Sequence, residues 1–248
     1  MKRLATGTMA LALAAAITAA AAAQQQRPAP PAPASQDTRP GMAVLDFDIG
    51  MTLGQDPETY DALRRGLASL TLGELASNPA VRVVERAQLQ QILQEQNLGR
   101  EGRVESSSLS RIGQLVGARY MVTGTLYDNR GDVRVNARIF NTETSEIVRT
   151  MEVRGRMDNL FDMVQNLAQQ LMQGASLPPL ERRAADEFRQ QNPAPPTQAV
   201  MAYSRAVLYA DRGDTPRAIE QYHRALTAFP QYTQARTECN RLQANACS

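Results

Sequence analysis

Between Gly41 and Gly174 the apolar positions change period several times, and each change marks an element. In Met42–Asp48, Ala43, Leu45 and Phe47 alternate with Val44, Asp46 and Asp48, the two-residue period of a strand. Asp56-Pro57 reads as an N-cap followed by Pro at the first helical position, opening a helix that turns Leu63, Gly66, Leu67, Leu70 and Leu75 inward and ends near Ser77-Asn78-Pro79. A second strand spans Val81–Glu85. A Gln-rich helix comes next with Leu89, Ile92 and Leu93 at helical spacing, then a shorter helix with Leu109, Ile112, Leu115 and Val116 on one face. Gly117 closes that helix before the third strand, Arg119–Tyr127. Beyond a turn at Asp128–Asp132, Val133, Val135, Ala137 and Ile139 alternate with Arg134, Asn136 and Arg138, which predicts an antiparallel strand with one wet face. A fifth strand, Ile147–Val153, leads to a helix capped by Asp158, carrying Phe161, Val164, Leu167, Ala168 and Leu171 and stopped by Gly174. Strands joined through helices imply an α/β fold, a mixed sheet with helices packed on it.

The pattern then changes class. Leu177-Pro178-Pro179 breaks the chain, Glu181–Gln191 reads as a short amphipathic helix, and Pro193, Pro195 and Pro196 break it again. The remaining C-terminal residues form a small all-α helical-hairpin module. The expected domains are 1–23, a signal peptide; 24–40, a Pro/Ala/Gln-rich tether; 41–175, the α/β domain; 176–198, a linker with a short helix; and 199–248, the helical hairpin with its tail.

The amino terminus sets the expected compartment. Met1-Lys2-Arg3 is a positive n-region, Met9 to Ile17 an apolar stretch, and Ala21-Ala22-Ala23 a small-residue cleavage site. Export to the periplasm with cleavage after Ala23 is expected, with no membrane span left after cleavage. The tether's Pro28, Pro30, Pro31, Pro33 and Pro40 favour an extended spacer. No Cys lies near the cleavage site, so no lipid anchor is expected. Cys239 and Cys247, the two cysteines, would close a small loop as a disulfide in an oxidising compartment. Cleavage also removes Lys2, the single lysine, and Arg3. The mature chain would then carry 25 Arg against 25 acidic residues, a neutral balance with interspersed signs that argues against a nucleic-acid partner.

This inventory is poor in catalytic chemistry. Without a mature-chain lysine there is no Schiff base or phosphate-loop cation, and the single histidine, His223, reads as a surface residue. Asp46 and Asp48 share a face at a strand's C-terminal end, where α/β sheets often place sites. With no third ligand nearby, helix capping and a solvated strand exit account for them better than a metal or acid–base pair. Glu85 and Arg86 read as a helix cap or a local pair, with an interface switch as the sharper alternative. Gly113, Gly117 and Gly124 fit helix–sheet packing and turns rather than a phosphate loop. No cofactor or metal is expected.

Four segments together resemble the CsgG-like family, the curli production assembly/transport component: A-V-L-D-F at Ala43, V-R-V-V-E-R-A-Q-L-Q-Q-I-L-Q-E-Q at Val81, G-A-R-Y-M-V-T-G-T-L at Gly117 and N-T-E-T-S-E-I-V at Asn141. The resemblance runs from about Gly41 to Gly174 and implies an envelope scaffold that binds partners. The family's secretion channel is a lipoprotein with long membrane hairpins. The turns after Phe47, Tyr127 and Phe140 offer no extra pair of alternating strands, so pore formation does not carry over. From Ala199 to Tyr232 the chain resembles one tetratricopeptide repeat, with Ala206, Tyr209, Gly213, Ala218, Tyr222, Ala225 and Pro230 at its usual spacing. One repeat does not bury its own apolar face, so the hairpin should dock on Glu181–Gln191, on the α/β domain or on another subunit. Tyr203, Val207 and Asp211 fall where such repeats line a groove, which implies a partner-binding role.

The expected function is therefore a non-enzymatic periplasmic scaffold or adaptor binding cell-envelope proteins, with self-association possible, in assembly or secretion of surface structures. A regulator of peptidoglycan synthesis is the alternative, and a hydrolase using Asp46 and Asp48 a distant third.

Overall fold

The computed structural model describes residues 37–95, 106–178 and 193–247. The signal-peptide reading, most of the tether and the helix expected at Glu181–Gln191 lie outside the described residues. Arg39–Ser248 forms one compact unit. Within it the strands are β1 (Gly41–Val44), β2 (Asp48–Leu53), β3 (Arg82–Val83), β4 (Tyr120–Asn129), β5 (Asp132–Asn141) and β6 (Glu146–Arg156). The helices are α1 (Pro57–Ala76), α2 (Arg86–Glu95), α3 (Ser106–Val116), α4 (Leu160–Gly174), α5 (Thr197–Asp211), α6 (Thr215–Ala228) and α7 (Thr233–Leu242).

The strands form one mixed sheet in the order β3-β1-β4-β5-β6, with β2 also paired to β4. β1 is parallel to β3 and β4, while β4, β5 and β6 are successively antiparallel. β4 is central and apolar on both faces, because Val122 and Leu126 join one core and Met121 the other. β5 shows the expected alternation. Val133, Val135, Ala137 and Ile139 are buried, while Arg134, Asn136 and Arg138 on the opposite face are not.

Helices cover the two faces unequally. α2 and α3 seat Leu89, Leu93, Leu109 and Ile112 against Ala43, Met121 and Phe140 at one end of the sheet. α1 and α4 cover the other face, and the same apolar core continues through α1 into α5, α6 and α7. α1 starts as its sequence dictates: Asp56 accepts from the Thr59 N–H at 3.0 Å and Pro57 begins the helix. Its expected inward residues are buried, and so are Ala62, Ala68, Ser69 and Thr71, because the sheet lies on one side and α5 on the other.

Two expectations need correction. The first strand does not run from Met42 to Asp48. Pairing in β1 stops at Val44, and the Phe47 N–H turns to the Arg64 carbonyl in α1 at 3.2 Å while its ring is fully buried. The chain regains β4 only at Asp48, as β2, so Asp46 sits in a break between strands and Asp48 begins a new one. Asp158 does not cap α4. It lies in a 3-10 turn, Met157–Asn159, where its carbonyl accepts from the Thr197 hydroxyl at 2.6 Å.

Candidate functional site

The β1–β2 break puts Asp46 next to two arginines from other elements. Arg86, at the start of α2, donates to Asp46 Oδ1 through Nη2 at 2.8 Å and Nε at 3.2 Å. It also grips Asp211, the last residue of α5, with both terminal nitrogens at 2.6 Å. Arg65 of α1 adds an ion pair to Asp211 at 3.1 Å. Burial of the Arg86 side chain, 12% exposed, opposes its charge. The Asp211 hydrogen bond and the fields of Asp46 and Asp211 overcome that penalty and hold the guanidinium above its ordinary pKa. Sequence segments 40 and 125 residues from Arg86 thus meet on one cation.

The side chains of Glu85 and Arg86 therefore do not pair locally, while the Glu85 carbonyl accepts from the Leu89 N–H at 3.1 Å as α2 begins. Glu85 binds Arg241 of α7 at 3.2 Å, and Arg241 also reaches Glu238 at 3.3 Å. Periodicity gives no signal for such pairs, because each partner lies on a different element. Asp46, the candidate acid of a hydrolase, is committed to Arg86. Among the described residues no group of three or more His, Cys, Asp or Glu stands close enough to hold a metal ion.

Between α1, α2 and the C-terminal helices lies a cleft of about 440 Å³. Its apolar wall comes from Leu72, Val207, Ala210, Tyr222 and Leu242, and its polar rim from Glu85, Arg86, Asp211, Gln234, Glu238 and Arg241. Of the three residues proposed from sequence to bind a partner, Val207 and Asp211 line this cleft. Tyr203 lies beneath it, fully buried, with its hydroxyl 2.6 Å from Ser69 Oγ of α1. Burial raises the Tyr203 pKa. Glu238 is also raised, chiefly by desolvation, which Arg241 offsets only in part.

Close docking of α5 frames the cleft. Gly66 of α1 faces Ser204 of α5, and a Cβ on Gly66 would overlap the serine hydroxyl. Around this contact, Tyr209 donates to Glu58 at 2.9 Å, Arg205 to Thr59 at 3.2 Å and Arg212 to Asp61 at 2.9 Å. A disulfide joins Cys239 of α7 to Cys247, with Cα atoms 5.9 Å apart, and the Arg236 guanidinium holds the Cys247 carbonyl. It fixes the tail beside the helix that supplies Gln234, Glu238 and Arg241 to the rim. His223 is exposed.

Residues 31–130 match the family model of the curli production assembly/transport component CsgG. The C-terminal domain of LpoB from Salmonella enterica is similar at 20% identity and a TM-score of 0.37, over 48% of this chain and 83% of that one. Lipoprotein GNA1162 from Neisseria meningitidis is 13% identical with a TM-score of 0.37, over 53% and 95% of the respective chains. PelC from Paraburkholderia phytofirmans, solved as a dodecamer, is 15% identical with a TM-score of 0.31, over 56% and 89%. No curated protein matches the sequence. No helix among the described residues is long and apolar enough to cross a membrane. The family match ends just past β4, short of β5, β6 and the C-terminal helices. The similarity to the CsgG family is confined to residues 31–130.

Proposed function

We propose that this chain is a non-enzymatic scaffold of the cell envelope. It works in the periplasm and holds protein partners during assembly or export of surface structures. The family match supports the setting, since the family's own description is production, assembly and transport of curli. A leader-like amino terminus and a proline-rich tether support export and a domain held away from its point of attachment.

One observation carries the binding role: the cleft between α1, α2 and the C-terminal helices has an apolar wall and a charged rim. That composition suits a side chain or short segment of another protein. Asp46, Arg65, Arg86 and Asp211 neutralise one another, so the cluster shapes the cleft and supplies no acid–base pair. Tyr203, Val207 and Asp211 act at different depths: the tyrosine supports the cleft, while the other two line it. Self-association is the second expected interaction, and sedimentation measures it directly.

Ala210→Arg tests the reading, because Ala210 lines the cleft and is partly exposed. The tagged native chain should retain an envelope protein in stoichiometric amount from periplasmic extract. The folded variant should lose that protein. Equal retention by both chains removes the cleft from the binding role, and a hydrolytic activity abolished by Asp46→Asn ends the non-enzymatic reading.

A further inference from the structure

β6 ends the strand order and pairs with β5 alone among the described residues. Its other edge therefore carries main-chain donors and acceptors that no described strand takes up. Residues 146–150 are exposed at every position, on both faces of the sheet, with Ile147 52% and Val148 45% exposed. Exposed edges of this kind are templates for an added strand unless charge or shape blocks them.

The charge beside this edge selects the added strand. α2 and α3 cover only one end of this sheet face, where Met121 and Phe140 lie. On the remaining, polar part, Arg134 and Arg138 of β5 stand beside Glu152 and Arg154 of β6. The Glu152 carboxylate is shared, with Arg154 Nε at 2.5 Å and Arg134 Nε at 3.8 Å, and Asp132 is taken by Arg156 at 3.0 Å. Arg134 also lies over the Tyr127 ring, 4.7 Å from its centroid. Arg138, opposite Thr150, is exposed and has no ionic partner among the described residues. A second β6 would bring three further arginines, Arg149, Arg154 and Arg156, with Glu146 and Glu152 as its carboxylates. An acidic strand would meet Arg138 and Arg154 instead.

We infer that the free edge of β6 accepts an extended, acidic segment of a partner protein as an additional strand. Its main chain would bond β6, and its carboxylates, all on one face of the added strand, would reach Arg138 and Arg154. This surface is separate from the cleft, and its test stands apart from the Ala210→Arg experiment.

The probe is a synthetic peptide of roughly ten alternating Glu and Val residues, long enough for an ordinary strand. Its binding to the full chain is measured by fluorescence anisotropy against a Lys-Val counterpart. The acidic peptide should bind at least about tenfold more tightly, and added salt should narrow the difference. N-methylation of one alternate set of peptide nitrogens should abolish binding, and methylation of the other set should leave it intact, as main-chain pairing along one edge requires. Arg138→Glu, at an exposed site, should reverse the preference between the two peptides. Equal binding of both peptides, insensitivity to N-methylation at either set, or an edge already occupied by a second copy in sedimentation overturns the inference.

Discussion

At the scale of single residues, the tyrosines under the cleft show how position decides the value of a hydroxyl. Tyr203, Tyr222 and Tyr232 are buried together, with the Tyr203 ring centroid 5.9 Å from that of Tyr222 and 5.2 Å from that of Tyr232. Tyr203 has a partner in Ser69, whereas the Tyr232 hydroxyl is buried and has none among the described residues. Tyr203→Phe should therefore cost about 1 kcal/mol by orphaning Ser69, and Tyr232→Phe should be neutral or stabilising by a similar amount. Urea denaturation of the two variants checks this difference in sign. Burial raises the pKa of all three above the ordinary 10.0. The unfolded chain then loses these protons first. The stability they contribute is complete below pH 10 and falls as pH rises beyond it, by up to about 1.4 kcal/mol per pH unit per tyrosine. Tyr232→Phe should make that alkaline decline shallower.

At the scale of elements, the docking of α5 on α1 depends on the absence of one side chain. Gly66→Ala would force a Cβ into Ser204, whose hydroxyl donates to the Val200 carbonyl within α5. Helix propensity alone would make this substitution stabilising by roughly 1 kcal/mol. Overpacking opposes it by about 1–3 kcal/mol, so a lowered melting temperature is expected. Adding Ser204→Gly should recover most of the loss, and calorimetry of the single and double variants tests whether the contact is the cause. In the sequence, Leu63, Leu67 and Leu70 reveal α1 and its sheet-facing stripe. The face toward α5 is harder to read because Gly66 and Ser69 are small or polar, and their burial comes from a helix more than 130 residues away. β5 is legible in nearly every position, since one face is core and the other is wet. β2 is not. Asp48-Ile-Gly-Met-Thr-Leu53 has no clean alternation, contains a glycine and leaves Met51 77% exposed, so only its pairing to β4 makes it a strand. The cleft is legible in part: the helical pattern places Val207 and Asp211 on a common surface but gives no hint of Arg86 as the opposite wall.

At the scale of the whole molecule, Arg86 joins the break between β1 and β2, the start of α2 and the end of α5 through one guanidinium. Its partners are well shielded, with the Asp46 and Asp211 side chains 13% and 25% exposed. Pairs this sheltered are costly to break from one side, because the remaining charge keeps its desolvation penalty and loses its compensation. Arg86→Met should therefore destabilise more than the pair is worth, by about 2–4 kcal/mol. Asp211→Asn should cost less, since Asp46 still neutralises Arg86. The double variant isolates their coupling, expected at roughly 1–3 kcal/mol. Denaturant unfolding followed by far-ultraviolet dichroism should show one transition for the native chain, because a single apolar core runs from the sheet into α5, α6 and α7. If Arg86 is the main electrostatic link across that core, Arg86→Met should divide the transition or lower its denaturant dependence. An unchanged single transition would assign the cohesion to the apolar contact of α5 with α1 and leave the arginine the narrower task of shaping the cleft.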